Sequence, residues 1–387
     1  MEKQRIYWWI QHLDEIGGTE MVSVDLANHL SDEFDVTLIV SSEIVKDPVY
    51  KLDERIKFVS LNIPHDVIRA DQYSVEYKHN KQRGKRFKLF WNTFLTYTFK
   101  RGHYKRAVKK IIKKDPGVLI CSSGDSYYFA PRGIKAIYHY HFNSRLFFSS
   151  GNKIIMSFSR KPNYSVFLSK TTLDTVSNKR KKLKDSSTYI YNPVRFEPTL
   201  DTINYGNRII FVGRFVEQKN PLFAIEIAKI LKNKGLNFKL DMYGNGGLIF
   251  KMENLIKEYN LEKNVFLHEP IPNIKEELLH SDLLLVTSKY EGLVLVKAEA
   301  NSMSTPVIST NWGDTVYEIS KNGEDGFVID SENAEDFANK IIEVLSNKNE
   351  LISLKESSYE SSKSFSYENI IPQWISLIHK INDNNAK

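Results

Sequence analysis

Residues 5–40 read RIYWWIQHLDEIGGTEMVSVDLANHLSDEFDVTLIV and hold one complete βαβ unit. Arg5 to Ile10 is an apolar run of strand length, and a turn carrying Gly17-Gly18 follows it. Val22, Leu26 and Leu30 then recur at i, i+4 and i+8, which is helical spacing, before Val36 to Val40 returns to a strand-like run. Two strands joined through a helix lie parallel, so a chain that opens this way builds a doubly wound α/β sheet. The alternation goes on with strand candidates at Val118 to Cys121, Lys135 to Tyr140, Ser165 to Leu168 and Thr188 to Tyr191. It restarts at Arg208 to Val212, where Asn220 is placed to cap a helix that has Pro221 at its first position and Phe223, Ile227, Ile230 and Leu231 on one face. Strands are expected at Leu240 to Tyr243, Val265 to Leu267, Leu283 to Val286, Pro306 to Ser309 and Gly326 to Ile329.

The pattern predicts two doubly wound Rossmann-like domains facing each other across a cleft, 1–200 and 201–366, divided in the polar stretch Glu197 to Asn207. The amphipathic end of the chain, 367–387 with Trp374, is expected to pack back on the first domain. A length of 387 residues, 41% apolar and 26% charged, suits two such cores and excludes disorder as an overall description. The single cysteine, Cys121, excludes an internal disulfide or a thiolate zinc site and favours a reducing compartment. No apolar run approaches the roughly 18 residues of a spanning helix, and the start lacks a secretory pattern. A cytoplasmic protein is the expectation.

Charge is concentrated. Of 54 Lys and Arg, 14 fall between Lys78 and Lys114, where there is no Asp or Glu; the remaining 40 face 47 acidic residues. Phe87, Phe90, Trp91, Phe94, Tyr97 and Phe99 are interleaved with these cations. Cations beside aromatic rings suit an anionic membrane surface, which makes 78–114 a candidate peripheral anchor at the inner face of the plasma membrane. A solvated helix face is the plainer reading of such a run. No zinc-finger, RRM or KH signature accompanies it, so nucleic acid is not an expected partner.

The chemistry concentrates in Ser288-Lys289-Tyr290-Glu291-Gly292-Leu293-Val294-Leu295-Val296-Lys297-Ala298-Glu299-Ala300, which follows a buried-type strand. If Glu291 and Glu299 share one helix, they stand about 80° apart and about 12 Å along its axis. So placed, they could grip opposite ends of an extended ligand. The amides of Gly292, Leu293 and Val294 would form an anion site at the helix start. A nucleoside diphosphate sugar fits: hexose hydroxyls on Glu291, diphosphate on the amides, ribose on Glu299. Two solvated helix glutamates would give the same spacing, so a second element is needed. Phe211-Val212-Gly213-Arg214-Phe215-Val216-Glu217-Gln218-Lys219 supplies it, because Arg214 can fork onto phosphate oxygens with Lys219 as a point charge beside it. Strand ends of such sheets face the ligand crevice.

Gly213-Arg214 with Lys219, then Glu291 and Glu299 eight residues apart, resembles the retaining GT-B glycosyltransferases of family 4, also called group 1. The resemblance runs from Ile209 to about Asp330 through Met242-Tyr243-Gly244-Asn245-Gly246, Phe266-Leu267-His268-Glu269-Pro270, Pro306-Val307-Ile308 and Gly323-Glu324-Asp325-Gly326-Phe327-Val328. It is looser in the first domain, through Gly17-Gly18-Thr19-Glu20 and Tyr191-Asn192-Pro193-Val194. It implies catalytic roles for Glu291, Arg214 and Lys219, and a donor held mainly by the second domain without a divalent metal. It also implies that Gly17 and Gly18 let their loop approach the diphosphate, that the base lies near Pro270 and Ile271, and that Gly244 lines the nucleotide floor. A first-domain histidine is expected beside the transferring sugar. His139 and His141 share a strand face, so alternation does not choose between them; His141 is favoured as nearer the loop. Val294 and Lys297 depart from the family's usual residues, as does the Trp312-Gly313-Asp314 context ahead of Glu318.

The implied activity is transfer of a hexose from a nucleotide sugar, UDP rather than GDP, to a lipid-linked or polymeric glycan of the cell envelope or capsule. A sugar-nucleotide epimerase of the same fold is the enzymatic alternative. A non-enzymatic basic protein of the membrane surface is the other.

Overall fold

The computed structural model describes residues 3–15, 17–63, 102–141, 144–148, 162–313 and 315–383. Two parallel sheets organise them. The first joins β1 (Arg5–Ile10), β2 (Asp35–Ser42), β3 (Lys57–Ile63), β4 (Val118–Cys121), β5 (Ala136–Tyr140), β6 (Tyr164–Phe167) and β7 (Ser187–Tyr189) in the order β3-β2-β1-β4-β5-β6-β7. The second joins β8 (Arg208–Val212), β9 (Lys239–Tyr243), β10 (Val265–His268), β11 (Leu283–Val286), β12 (Val307–Thr310) and β13 (Gly326–Ile329) in the order β10-β9-β8-β11-β12-β13. Helices cover both faces, so the central strands are buried on both sides and read as nearly unbroken apolar runs. Strand order reverses between β1 and β4 and again between β8 and β11. Crevices outside the carboxyl ends of strands at such points are where doubly wound folds bind ligands.

Most expected strands stand within one or two residues of their places. β3 is the addition: it pairs only with β2 and leaves Phe58 and Val59 partly exposed, so it lacks the buried run that marks its neighbours. The helix Pro221–Asn233 begins at the expected residue, but Asn220 caps it without a side-chain hydrogen bond and adopts a left-handed φ of 51°, a conformation asparagine tolerates.

The final described helix, Tyr367–Asp383, buries Ile370, Trp374, Leu377, Ile378 and Ile381 in the core of the first sheet. Its Trp374 ring lies 5.3 Å from Trp8 of β1. The chain therefore leaves the first domain, builds the second, and returns.

The cationic stretch divides. Positions 78–101 lie outside the described residues, and with them Phe87, Phe90, Trp91, Phe94, Tyr97 and Phe99. The helix over 102–114 is described: Tyr104, Val108 and Ile112 anchor it in the core, while Arg106, Lys109, Lys110, Lys113 and Lys114 face solvent. No helix among the described residues is long and apolar enough to cross a membrane.

Candidate active site

Three turns at the carboxyl ends of the second sheet's strands build one wall. The turn after β8 carries Gly213, Arg214 and Lys219, and lies against the turn after β9: Phe215 N–H donates to Asn245 O at 2.7 Å, and Leu248 N–H to Phe215 O at 3.1 Å. The approach is close enough that a Cβ on Gly244 would sit 2.0 Å from Gly213 O, and one on Gly246 2.4 Å from Phe215 O. Only glycine fits there. The turn after β11 is tied to the first by Lys289 N–H donating to Gln218 O at 2.8 Å. Thr287 completes the tie by donating its hydroxyl to the carbonyls of Lys219 and Asn220.

This framework brings Lys219 and Glu291 together, Nζ to Oε1 at 2.7 Å, with the glutamate largely buried. Gln218 reaches the same place, donating Nε2 to Tyr290 O at 3.1 Å. Arg214 is exposed on the same turn and has no ion pair among the described residues. The amides of Gly292, Leu293 and Val294 make no hydrogen bond with the described residues. They are fixed by Thr315, which donates its hydroxyl to Gly292 O at 2.8 Å. Three N–H groups without a described partner, next in sequence to the glutamate that Lys219 pairs with, make a ready receptor for anionic oxygens.

One expectation is corrected. The helix begins at Leu295, with an extended Val294 as its N-cap, and ends at Ser302. Glu291 therefore lies four residues ahead of the helix, and the angle and rise computed for two carboxylates on one helix do not apply. Glu299 is in the helix and buried. It pairs with a residue that spacing did not single out: Arg195 donates Nε to Glu299 Oε1 at 2.9 Å and Nη1 to the carbonyl of Pro272. Burial raises the Glu299 carboxyl above its ordinary range, and Arg195 pulls it down. Pro270 and Ile271 follow β10 in this same loop, and Ile271 is exposed.

Lys297 is explained by its partner. It is buried with Nζ 3.0 Å from Asp325 Oδ2, and Asp325 also accepts from Asn301. This lysine supports the helix from behind and does not enter the cleft wall. Glu318 reaches across the domains: its carboxylate accepts the amides of Lys170 and Thr171 at 2.6 and 2.8 Å, and the Tyr191 hydroxyl at 2.7 Å.

The first domain contributes a neutral wall. Gly17 precedes the helix Gly18–Leu30 and exchanges hydrogen bonds with the Tyr50 hydroxyl. A Cβ on Gly18 would meet nothing within 4 Å. His139, at the end of β5, is 1% exposed, and its ring lies 5.0 Å from Trp374 and 4.1 Å from the ring of His141. His141 is the outer of the two. Burial, with His141 adding to it, holds His139 well below the usual imidazole range, and burial brings His141 down to about 3. Both rings are neutral at physiological pH and able to donate or accept one hydrogen bond per nitrogen.

Residues 202–361, which carry every element of the charged wall except Arg195, match the family model for glycosyl transferases group 1. This second domain is similar to the group 1 glycosyl transferases. The chain is 22% identical over 389 residues to an uncharacterized glycosyltransferase of Haemophilus influenzae, covering 97% of this chain and 100% of that protein. It is 24% identical, over 94% of this chain and 96% of the relative, to a Campylobacter jejuni protein described as GalNAc-alpha-(1->4)-GalNAc-alpha-(1->3)-diNAcBac-PP-undecaprenol alpha-1,4-N-acetyl-D-galactosaminyltransferase. Among solved structures, a variant of S. aureus TarM in complex with fondaparinux, alpha-GlcNAc-glycerol and UDP superposes with a TM-score of 0.77, at 16% identity over 97% of this chain and 100% of that one. The two-sheet arrangement is thus the GT-B fold.

Proposed function

We propose that this glycosyl transferase is a retaining, family 4 enzyme that moves a hexose from a UDP-sugar, in preference to a GDP-sugar, to a lipid-linked or cell-surface polysaccharide acceptor. The observation that carries the reading is the Lys219–Glu291 pair, followed in sequence by three amides without a described partner, with Arg214 exposed on the turn that carries Lys219. The amides of Gly292, Leu293 and Val294, with Arg214 and Lys219, receive the diphosphate and stabilise the charge that develops as it leaves. Glu291 holds hexose hydroxyls, Glu299 the ribose, and Gly213 and Gly244 give the nucleotide close access to backbone. Pro270 and Ile271 flank the base. Gly17 and Gly18 bring the first-domain loop to the diphosphate, and His141, backed by His139, hydrogen-bonds the sugar.

The acceptor hydroxyl attacks from the face the diphosphate leaves, so configuration is retained. The departing phosphate oxygen takes the acceptor proton, and no metal ion or dedicated carboxylate base takes part. Closure of the two domains excludes water from the donor. The TarM variant's UDP supports the donor class, and the undecaprenol-linked substrate named for the Campylobacter relative supports the acceptor class. The exposed cations of the helix over 102–114 would hold the enzyme at the cytoplasmic face of the membrane where such acceptors reside. The family match favours transfer over the epimerase and the purely membrane-binding alternatives.

The test is transfer in EDTA buffer, from UDP- and GDP-hexoses to undecaprenyl-diphosphate-linked glycans in vesicles with and without phosphatidylglycerol. Expected are UDP-dependent transfer with the anomeric configuration kept, a faster rate on anionic vesicles, and a loss of about 10²–10³-fold in Glu291→Gln. Nucleotide consumption without any acceptor, or full activity in that variant, overturns the reading.

A further inference from the structure

Arg195 sits where the chain crosses from the first domain to the second, and the crossing is pinned on both sides of it: Val194 N–H donates to Phe365 O at 2.9 Å and Thr199 N–H to Ser302 O at 2.7 Å. Its guanidinium lies 4.6 Å from the centre of the Phe196 ring, which restricts the swing of the side chain. From that anchored position the planar fork donates in two directions, to Glu299 in the helix Leu295–Ser302 and to the carbonyl of Pro272 in the loop after β10. These two elements stand on opposite sides of the β8–β11 reversal and share no direct hydrogen bond. A guanidinium holds both because its donors are fixed in one plane; a flexible point charge does not.

The carboxylate it grips is not used up. Arg195 takes only Oε1, and no described residue donates to Oε2 of Glu299, although the residue is 5% exposed. A buried carboxylate with one oxygen fixed by a cation and the other unclaimed is an acceptor prepared for a hydroxyl pair.

Resting on the nucleotide-sugar reading of this cleft, we propose that Arg195 is a positioning residue for the nucleoside end of the donor, holding the Glu299 carboxylate and the Pro272 loop in one frame that receives ribose and base together. Arg195 does not touch the transferring sugar. Its effect belongs to donor binding, with little on the chemical step. It also links that frame to the first domain, because Asp25 of the helix Gly18–Leu30 lies within electrostatic reach of both Arg195 and Glu299.

The pH dependence follows from the charged and titratable groups around this frame: Arg195 and Glu197 on the crossing, Asp25 and His29 on the helix Gly18–Leu30, and the neutral phenols of Tyr50 beside Gly17 and Tyr367 on the returning helix. Arg195 opposes the effect of burial on Glu299. Removing the guanidinium leaves the carboxyl protonated to higher pH, where it no longer accepts from two ribose hydroxyls. The acid limb of nucleotide binding therefore moves upward.

The experiment titrates UDP, with GDP in parallel, into wild type, Arg195→Gln and Arg195→Lys between pH 4.5 and 8, and measures donor KM and kcat. Circular dichroism and thermal melting confirm that each variant is folded. In Arg195→Gln the UDP dissociation constant and donor KM should rise about tenfold or more, kcat at saturating donor should stay within about twofold, and the acid limb should shift upward. Arg195→Lys should return the acid limb to its wild-type place yet recover affinity only in part, since an ammonium cannot span both acceptors. An Asp25→Asn background removes the neighbouring carboxyl from the profile, and the shift should persist there. Unchanged UDP affinity and pH profile in a folded Arg195→Gln, or equal loss of kcat and affinity, overturns the proposal while leaving the nucleotide-sugar reading standing. A wild type that binds neither nucleotide overturns that reading itself.

Discussion

On the second-domain side of the cleft the side chains are charged and matched: Lys219 with Glu291, Arg195 with Glu299, and Lys297 with Asp325 behind them. On the first-domain side they are aromatic or held neutral, with His139 pressed between His141 and Trp374 and both imidazoles depressed by burial. The contrast separates two tasks. On the proposed reading, a wall of free amides and cations suits a diphosphate, whose charge grows as it leaves, and a neutral wall suits uncharged sugar hydroxyls. The walls also differ in how they are held. The charged one rests on short turns crossed by hydrogen bonds, the neutral one on a helix that arrives from the far end of the chain.

The sharpest way to break this comparison is Trp374→Ala. Truncating a tryptophan with no exposed surface, packed on Trp8 and His139, should cost about 3–5 kcal/mol by chemical denaturation. The loss should fall on the first domain, with UDP still protecting the second from unfolding; equal damage to both would dissolve the distinction. The turns of the charged wall give the next effect. Gly244→Ala forces a Cβ into Gly213 O and should cost about 1–3 kcal/mol along with UDP affinity, whereas Gly18→Ala on the opposite wall meets open space and should stay within about 0.5 kcal/mol in a melting experiment.

The smallest effect probes the seam between the walls. Burial pushes the Asp25 carboxyl up to about 6, with Arg195 and His29 lowering it and Glu299 raising it. A carboxyl raised above its unfolded value weakens the fold as it ionises, so the penalty is absent below about pH 4, grows toward pH 6 and is constant above that. Asp25→Asn should therefore melt higher than wild type at pH 7, by a margin that shrinks to nothing at pH 4. A margin independent of pH would remove Asp25 from the account.

How much of this could be read in advance depended on the range of the interaction concerned. The central strands announce themselves because burial on both faces demands unbroken apolar runs, as in Leu283–Val286; β3, with Phe58 and Val59 partly exposed at an edge, carries no such mark. Glu291 and Lys219 were visible as a recurring pattern of residues and do meet. The start of the helix was not, because Leu293 to Val296 is apolar throughout and no cap residue marks Val294 as the break. Arg195 and Lys297 were opaque for one reason: their partners lie 104 and 28 residues away, and charge alone does not say what a cation will face. Glu318, which caps a helix of the other domain, is hidden in the same way.

The returning helix also sets the order in which the molecule can be finished. During synthesis the strands of the first domain emerge before any of the second, yet the face of Trp8 that Trp374 covers stays open until the ribosome has passed residue 381 and released enough chain to reach back. An apolar seam thus waits through the translation of a whole further domain. Chaperones that shelter nascent chains should find their longest-lived target on the half of the protein that is made first, and a premature stop ahead of Trp374 should cripple the first domain rather than the second.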